Sequence, residues 1–332
     1  MKKGNWSLLW FVGVMVLNLP ALGRDSRSGF VTLADGRALY AEFTPAAPGK
    51  STLVLLNGMT HDVRNWDAVV SQLDLNGVGL LRYDLWGQGE TLLAHAPATD
   101  RIPLSRQIDD LAELSGRLGI TGRIDLAGLS YGGGLALAFA AKYPGRVGHL
   151  IVMAPYVEAV ADQDAWIKTQ VAFTRLTFPM NPASDDELYD YFLRNLVYQS
   201  YPLAEPSVLS NPFKLEATFR LTQGIRTFRA DQVVGRLPIG SVHLMIAGND
   251  QYITHGELDR FWSAVPQDRR GSRIKIEGVE HKFIGVVPQF AAAWLSLIER
   301  GDTRIAGGRS FAGQPHEGTA RSGQLVIPMP VE

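Results

Sequence analysis

The alternation of apolar and polar positions shows where strands are expected. Residues 28–43 alternate around Asp35-Gly36, which is typical of two antiparallel strands joined by a tight hairpin turn. Residues 51–58 instead form a continuous apolar run that ends in Asn57-Gly58, as expected for a strand buried on both faces. Further strand-like runs lie at residues 78–84, 123–128, 147–155, 241–248 and 272–278.

Segments with helical spacing separate these strands. They lie at residues 66–75, 103–118, 131–142, 255–264 and 284–299. Strands that alternate with helices favour a mostly parallel sheet with helices on both faces. The pattern therefore predicts an α/β fold with an eight-stranded sheet.

The alternation stops between residues 156 and 237, where aromatic residues recur at helix-like spacing between prolines. We interpret residues 156–237 as a helical insertion between two parts of one α/β core, residues 24–155 and 238–300. Residues 301–332 are rich in Gly, Ser, Arg and Pro and have no sustained period, so they are predicted to form a flexible tail.

The N-terminus has the pattern of a secretory signal peptide. Lys2 and Lys3 precede an apolar run at residues 6–19, and small residues follow as far as Gly23. This run is shorter than the roughly 20 residues that a membrane-spanning helix needs. We therefore expect residues 1–23 to be a cleaved signal and the protein to be periplasmic or secreted. An uncleaved membrane anchor is the alternative.

Composition narrows the possible partners and chemistry. The chain has 32 basic and 33 acidic residues, so its net charge of −1 gives no broad attraction to nucleic acid or to an anionic membrane. It has no cysteine, which excludes disulfides, thiolate nucleophiles and cysteine metal sites. No metal-ligand spacing is present either. We expect no cofactor, no metal, no nucleic-acid partner and no stable membrane partner after signal cleavage; the oligomeric state stays open.

One short motif carries candidate chemistry. Gly128-Leu129-Ser130-Tyr131-Gly132 fits the pattern G-x-S-x-G between a predicted strand and a predicted helix. Glycine-rich turns at such places also bind phosphates or dinucleotides, but the spacing G-x-G-x-x-G is absent and no Lys-Ser/Thr pair follows. The motif thus predicts Ser130 as a nucleophile on a strained turn, with glycines where side chains would collide.

A serine hydroxyl needs a base, and the base needs an orienting acid. His281 lies just after the strand-like run 272–278, at the sheet edge where the serine emerges. Asp250 follows the run 241–248, and the chain order Ser, Asp, His is the one that accompanies this elbow motif. Asp259 is the alternative acid. His61 precedes the serine and is interpreted as a pocket or surface residue.

Together, these motifs resemble the α/β-hydrolase superfamily from about residue 28 to 300. The resemblance implies that residues 156–237 form a cap over the serine and that the backbone N–H groups of Met59 and Tyr131 form the oxyanion hole. Asn57 stands where the family usually has histidine. The segment 83–91 resembles a family loop in which Asp84 has a structural role.

The resemblance and the triad predict an exported, cofactor-independent serine hydrolase that acts on a small or medium ester or related acyl compound through an acyl-enzyme. Amide or peptide release, lactone opening, carbon-carbon bond hydrolysis and acyl transfer use the same triad and stay open. A non-catalytic ligand-binding protein on the same scaffold is the alternative of another class. The presence of all three triad residue types argues against it.

Overall fold

The computed structural model describes residues 25–95, 101–200 and 211–313, and its centre is one sheet. Within those residues the sheet has nine strands in the order β1-β2-β4-β3-β5-β6-β7-β8-β9, with the bounds β1 Arg27–Thr32, β2 Ala38–Thr44, β3 Thr52–Leu56, β4 Gly79–Tyr83, β5 Ile124–Leu129, β6 Val147–Met153, β7 Val242–Ala247, β8 Arg270–Ile276 and β9 Arg309–Gly313. Strand β2 pairs antiparallel with β1 and with β4. All the other pairings in this sheet are parallel.

Helices connect the strands, as the alternating pattern predicts. In the described residues they are α1 Asp67–Val70, α2 Gly89–Ala94, α3 Leu104–Arg117, α4 Tyr131–Lys142, α5 Ala161–Thr177, α6 Asp185–Ser200, α7 Lys214–Ile225, α8 His255–Ala264, α9 Phe283–Val286 and α10 Pro288–Glu299. The prediction of an α/β-hydrolase fold with a mostly parallel sheet is confirmed. The helix predicted at 284–299 is split before Pro288, because the residue that precedes a proline is disfavoured in the helical conformation.

The sheet has one strand more than the eight predicted, and this strand lies in the predicted flexible tail. Strand β9 pairs in parallel with β8, and Phe311 on β9 is buried against Trp294 with ring centroids 5.4 Å apart. Residues 301–313 therefore belong to the folded core, which corrects the tail prediction for them. The strand has five residues and only one large apolar side chain, so its pattern is too short to detect. Residues 314–332 lie outside the described residues.

The core lies on both faces of the sheet. Strand β3 is buried along its whole length, and its neighbouring residues Leu55 and Leu56 point into two different apolar clusters. One cluster packs under α3, α4 and α8, and the other packs under α10. Full burial of one leucine contributes about 1.5–3 kcal/mol. This double-sided packing explains the continuous apolar run at 51–58.

The insertion between β6 and β7 contains helices α5, α6 and α7. They share a small apolar core of their own, made by Ile167, Val171, Leu188, Leu193, Val197 and Phe219. Several aromatic residues of the insertion are instead exposed, including Phe173 and Phe178.

In the three described ranges, no helix is long and apolar enough to cross a membrane. The signal predicted at residues 1–23 lies outside these ranges.

Candidate active site

Ser130 occupies a strained turn between β5 and α4. Its φ of 53° and ψ of −116° lie outside the regions that residues other than glycine usually adopt. Such a conformation costs about 1–3 kcal/mol and persists only where the surroundings enforce it. Here the Ser130 N–H donates to the Met153 carbonyl, and its own carbonyl accepts from the Tyr156 N–H, both at 2.9 Å. The end of β6 therefore holds the serine in this conformation.

The two glycines of the motif are required because the backbone passes so close to them. A Cβ on Gly128 would lie 2.3 Å from the Gly132 carbonyl oxygen. A Cβ on Gly132 would lie 2.3 Å from the Leu56 carbonyl oxygen at the end of β3. Because the obstructing atoms are backbone atoms, no side-chain movement relieves the contact. This is the collision that the sequence motif predicts.

Asp250 and His281 come together at the carboxyl edge of the sheet. They follow β7 and β8, which are parallel neighbours, so the ends of these strands lie side by side. The Asp250 Oδ2 atom lies 2.7 Å from Nδ1 of His281, and the Asp250 side chain is fully buried.

Backbone groups hold the carboxylate of Asp250 in place. Its Oδ1 atom accepts the N–H groups of Tyr252 at 2.8 Å and Ile253 at 2.9 Å. The alternative acid, Asp259, pairs with Arg273 on the surface of the molecule. Of the two candidates, Asp250 is thus the one that contacts His281.

Ser130 and His281 are not joined by a hydrogen bond in the described residues. Ser130 follows β5 and His281 follows β8, at the same edge of the sheet. Nε2 of His281 has no hydrogen-bond partner in this part of the chain, and neither has the Ser130 hydroxyl. Hydrogen bonds between a nucleophile and its base are often long without substrate. The structure brings the predicted acid and base into contact and places the serine at the same edge of the sheet.

The loop after β3 is held by two buried amide side chains. Asn57 donates to the Tyr83 carbonyl at 3.0 Å and accepts from the indole Nε1 of Trp66 at 3.0 Å. Nε2 of Gln88 donates to the carbonyl oxygens of Gly58, at 2.8 Å, and Met59, at 3.1 Å. Asn57 therefore supports this loop in the place of the family's usual histidine. The sequence gives no signal for Gln88, because its partners are backbone carbonyls distant along the chain.

The predicted oxyanion donors are available for a ligand. In the described residues, no hydrogen bond occupies the backbone N–H of Met59 or of Tyr131. Tyr131 is the first residue of α4, where N–H groups have no partner within the helix and the helix dipole favours negative charge. The insertion contacts Met59 directly, since the Thr222 hydroxyl on α7 lies 2.9 Å from the Met59 sulfur.

Asp84 has the structural role that the resemblance implies. Its carboxylate accepts the backbone N–H groups of Val63 and Glu90, both at 2.8 Å. Burial raises the pKa of Asp84 to about 7. A Cβ on Gly89 would lie 2.1 Å from the Asp84 carboxylate, which explains the glycine in this loop.

A cavity of about 200 Å³ lies beside the loop that carries Met59. His61 and Gln88 line it from the core, and Lys214 and Thr218 line it from α7. His61 is buried, and burial, with smaller electrostatic contributions from the nearby Lys282, His281 and Lys214, lowers its pKa to about 3. His61 is thus a pocket residue and is uncharged near neutral pH.

No group of three or more His, Cys, Asp or Glu side chains in residues 25–95, 101–200 and 211–313 is arranged to hold a metal ion.

Comparison with known proteins identifies the family. Residues 47–285 match the family model described as serine aminopeptidase, S33. The chain belongs to this family of α/β hydrolases. The prediction of an α/β-hydrolase enzyme is confirmed at the level of the family.

Individual relatives of this α/β hydrolase match only in part. A protein of Burkholderia vietnamiensis (strain G4 / LMG 22486), named 2-hydroxy-6-oxononadienedioate/2-hydroxy-6-oxononatrienedioate hydrolase, is 32% identical over 124 residues, which are 36% of this chain and 41% of the relative. The human protein named 1-acylglycerol-3-phosphate O-acyltransferase ABHD5 is 28% identical over 181 residues, which are 52% of this chain and 50% of the relative. The chain thus spans half or less of the length of these curated relatives.

Solved structures share the fold of this α/β hydrolase. The crystal structure of MGS-M2, an α/β-hydrolase enzyme from a Medee basin deep-sea metagenome library, aligns with a TM-score of 0.61 and 22% identity. The alignment covers 83% of this chain and 98% of that one. At this identity the likeness shows the fold alone.

Proposed function

We propose that this α/β hydrolase cleaves a small or medium ester, or a related acyl compound, through Ser130, His281 and Asp250. The observation that carries the proposal is the 2.7 Å contact between His281 Nδ1 and the fully buried side chain of Asp250, at the sheet edge that also presents Ser130 on a strained turn. A buried carboxylate fixed by two backbone N–H groups is suited to orient an imidazole and to stabilise its positive charge.

The proposed reaction proceeds in two halves. The Ser130 oxygen attacks the substrate carbonyl carbon while Nε2 of His281 accepts the hydroxyl proton. The tetrahedral intermediate collapses, the bond to the leaving group breaks, and His281 gives its proton to the leaving oxygen. Water then attacks the acyl-enzyme with His281 again as the base, and the acid product leaves Ser130 with its proton restored.

The N–H groups of Met59 and Tyr131 are the proposed donors to the negative oxygen of the tetrahedral intermediate. Both belong to backbone that is fixed before the reaction, Met59 through Gln88 and Tyr131 as the first residue of α4. Preorganised donors of this kind contribute about 3–4 kcal/mol each to transition-state stabilisation.

A carbon-carbon bond hydrolase is the second candidate. It is supported by the partial match to the relative named as a 2-hydroxy-6-oxononadienedioate hydrolase. Peptide release is a further candidate on the same triad, supported by the family description. A panel with one p-nitrophenyl ester, one aminoacyl p-nitroanilide and one 2-hydroxy-6-oxo-dienoate separates the three, since each reports a different cleaved bond.

The proposed location is the periplasm or the exterior of the cell. The support is the sequence alone, namely Lys2, Lys3 and the apolar run at 6–19. Mass spectrometry of the mature N-terminus is the test. A first residue at Arg24 supports cleavage, and an intact Met1 in the membrane fraction supports the anchor.

Hydrolysis of p-nitrophenyl butyrate tests the proposed activity. Ser130→Ala is expected to lower kcat by about 10³-fold or more, because the nucleophile is lost. Ser263→Ala is the matched control, since Ser263 is exposed on α8. If Ser130→Ala keeps the turnover of the wild type, the proposal is wrong.

A further inference from the structure

Tyr252 contacts both the acid and the base of the proposed triad. Its backbone N–H donates to Oδ1 of Asp250 at 2.8 Å. Its aromatic ring lies against the imidazole of His281, with the ring centroids 5.2 Å apart and the ring planes inclined by 65°. Aromatic rings prefer such an edge-to-face contact to a face-to-face sandwich. One residue thus contacts the two groups whose relative position the proposed reaction requires.

The backbone that carries Tyr252 is fixed by its neighbours. Asp250 accepts the N–H groups of both Tyr252 and Ile253, and the side chain of Ile253 is buried. Thr254 follows and caps helix α8, where its hydroxyl accepts the N–H of Glu257. A tyrosine on a fixed backbone has only two side-chain torsion angles left to vary. The backbone therefore restricts where the ring can lie.

Packing in the apolar core does not account for Tyr252. The residue is 45% exposed and belongs to none of the three apolar clusters formed by the described residues. Its ring instead covers one side of His281, whose side chain is only 8% exposed. The position of Tyr252 is thus explained by its contacts with Asp250 and His281 and not by burial.

The imidazole of His281 needs a second contact besides Asp250 to be held in one orientation. The hydrogen bond from Nδ1 fixes one atom of the ring but not its plane, because rotation about the axis of that bond leaves its length unchanged. The last torsion angle of a histidine side chain also has only a broad preference. A ring packed against the imidazole restricts this rotation.

We propose that Tyr252 is a positioning residue of the site. Its ring holds the plane of the His281 imidazole so that Nε2 can exchange a proton with Ser130. The aromatic ring carries this effect, and the hydroxyl is not needed for it. The inference rests on the proposed function, because the orientation of His281 affects turnover only if His281 is the base.

Hydrolysis of p-nitrophenyl butyrate by Tyr252→Ala tests the inference. The substitution removes the ring and keeps the backbone N–H that binds Asp250. We expect kcat to fall by about three- to tenfold, the effect of one aromatic pair. We expect KM to stay within about twofold of the wild type, because the ring acts on His281 and not on substrate binding. Tyr252→Phe keeps the ring and is expected to keep the wild-type kcat.

Phe30→Ala is the matched control. Phe30 on β1 is 48% exposed and also makes an edge-to-face contact, with the ring of Tyr40 at a centroid distance of 5.7 Å. Its loss is expected to leave both kcat and KM unchanged. Should Tyr252→Ala fail to fold, Tyr252→Leu keeps apolar bulk without an aromatic ring and decides by the same measurement.

Proton NMR gives a readout that does not depend on turnover. A short, charge-assisted hydrogen bond between Nδ1 of His281 and Asp250 is expected to give a downfield proton resonance, which His281→Ala lacks. We expect this resonance in the wild type and in Tyr252→Phe. It is expected to broaden in Tyr252→Ala, because an imidazole that can rotate exchanges this proton with water more rapidly.

Three results would each overturn the inference. The first is a loss of kcat in Tyr252→Ala smaller than about threefold. The second is a loss of kcat/KM that lies in KM, or that Tyr252→Phe shares, because the ring would then act on the substrate or through its hydroxyl. The third is a resonance as sharp in Tyr252→Ala as in the wild type.

Failure of the proposed function gives a different result. If the folded wild type neither reacts with a fluorophosphonate probe nor hydrolyses the ester, the proposed function is wrong. The resonance then still shows whether the Tyr252 ring holds the imidazole. If the probe labels Ser130 but the loss of the ring changes neither kcat nor the resonance, the inference is wrong and the proposed function stands.

Discussion

The Asp250 carboxylate lies 2.7 Å from Nδ1 of His281, and the Asp250 side chain is fully buried. The sheet brings the two residues close together, because they follow the adjacent parallel strands β7 and β8. The contact leaves Nε2 of the imidazole as the nitrogen that the proposed reaction uses to exchange a proton with Ser130.

Asp250→Asn is expected to lower kcat by about 10³- to 10⁴-fold with little change in KM, because the amide no longer holds the imidazole in the required tautomer. The measurement is steady-state hydrolysis of a p-nitrophenyl ester. Asp259→Asn removes a surface carboxylate that pairs with Arg273 and is expected to keep wild-type turnover. A loss of less than about threefold in Asp250→Asn would show that Asp250 is not the acid.

Gly132→Ala is expected to destabilise the protein by about 3 kcal/mol or more, since the new Cβ would lie 2.3 Å from the Leu56 carbonyl oxygen. Urea unfolding of the purified variants is the measurement. Gly116→Ala is the control, because nothing lies within 4 Å of a Cβ at that position on α3. It is expected to stabilise the helix by about 0.5–1 kcal/mol. Equal stability of the two variants would contradict the steric account of the motif.

Gln88→Ala is expected to lower kcat by about tenfold and the free energy of unfolding by about 1–3 kcal/mol. The reason is that the carbonyl oxygens of Gly58 and Met59 lose their side-chain donor, which frees the loop that carries one proposed oxyanion N–H. Turnover and urea unfolding are measured on the same samples. Gln72→Ala, an exposed glutamine that contacts the Ala68 carbonyl, is the control. If turnover is unchanged in Gln88→Ala, the claim that Gln88 supports the loop carrying the Met59 N–H is wrong.

Glu299→Gln is expected to change how stability depends on pH. Burial, followed by the negative charge of Asp125, raises the pKa of Glu299 from 4.5 to about 9. The folded state therefore binds the proton more tightly than the unfolded state, and wild-type stability falls as the pH rises between those two values, by up to about 1.4 kcal/mol per pH unit. Because glutamine does not ionise, the free energy of unfolding of the variant is expected to increase relative to that of the wild type as the pH rises.

The comparison for Glu299 is urea unfolding at about pH 5 and about pH 8.5. Glu280→Gln, an exposed glutamate, is expected to keep the wild-type pH dependence. If the stability difference between Glu299→Gln and the wild type does not grow from the lower to the higher pH, Glu299 is already ionised in the folded protein.

Much of the fold follows from periodicity. Helix α8 begins and ends where the pattern predicts, at His255 and Ala264. The contact between Asp250 and His281 also follows from sequence, because both residues come directly after strand-like runs and parallel strands end at one edge. Strand β9 is not predicted from the sequence, because five residues are too few to show a strand pattern. Its pairing with β8 is a contact between segments that are distant along the chain.

The surroundings of individual side chains in the site cannot be predicted from the sequence. Gln88 holds the carbonyls of Gly58 and Met59, which lie about thirty residues earlier in the chain. His61 is predicted only as a pocket or surface residue, and its burial and neighbouring lysines become visible only in the folded chain. Both depend on how the loops after different strands pack together, which no local pattern records.

The most direct test of the central claim is the site of covalent modification by a fluorophosphonate probe, mapped by peptide mass spectrometry. The account predicts one adduct, on Ser130, that forms rapidly in the wild type, is absent in Ser130→Ala and forms much more slowly in His281→Ala. An adduct on another serine, or no adduct on well-folded wild-type protein, would contradict the claim that Ser130 is a nucleophile activated by His281.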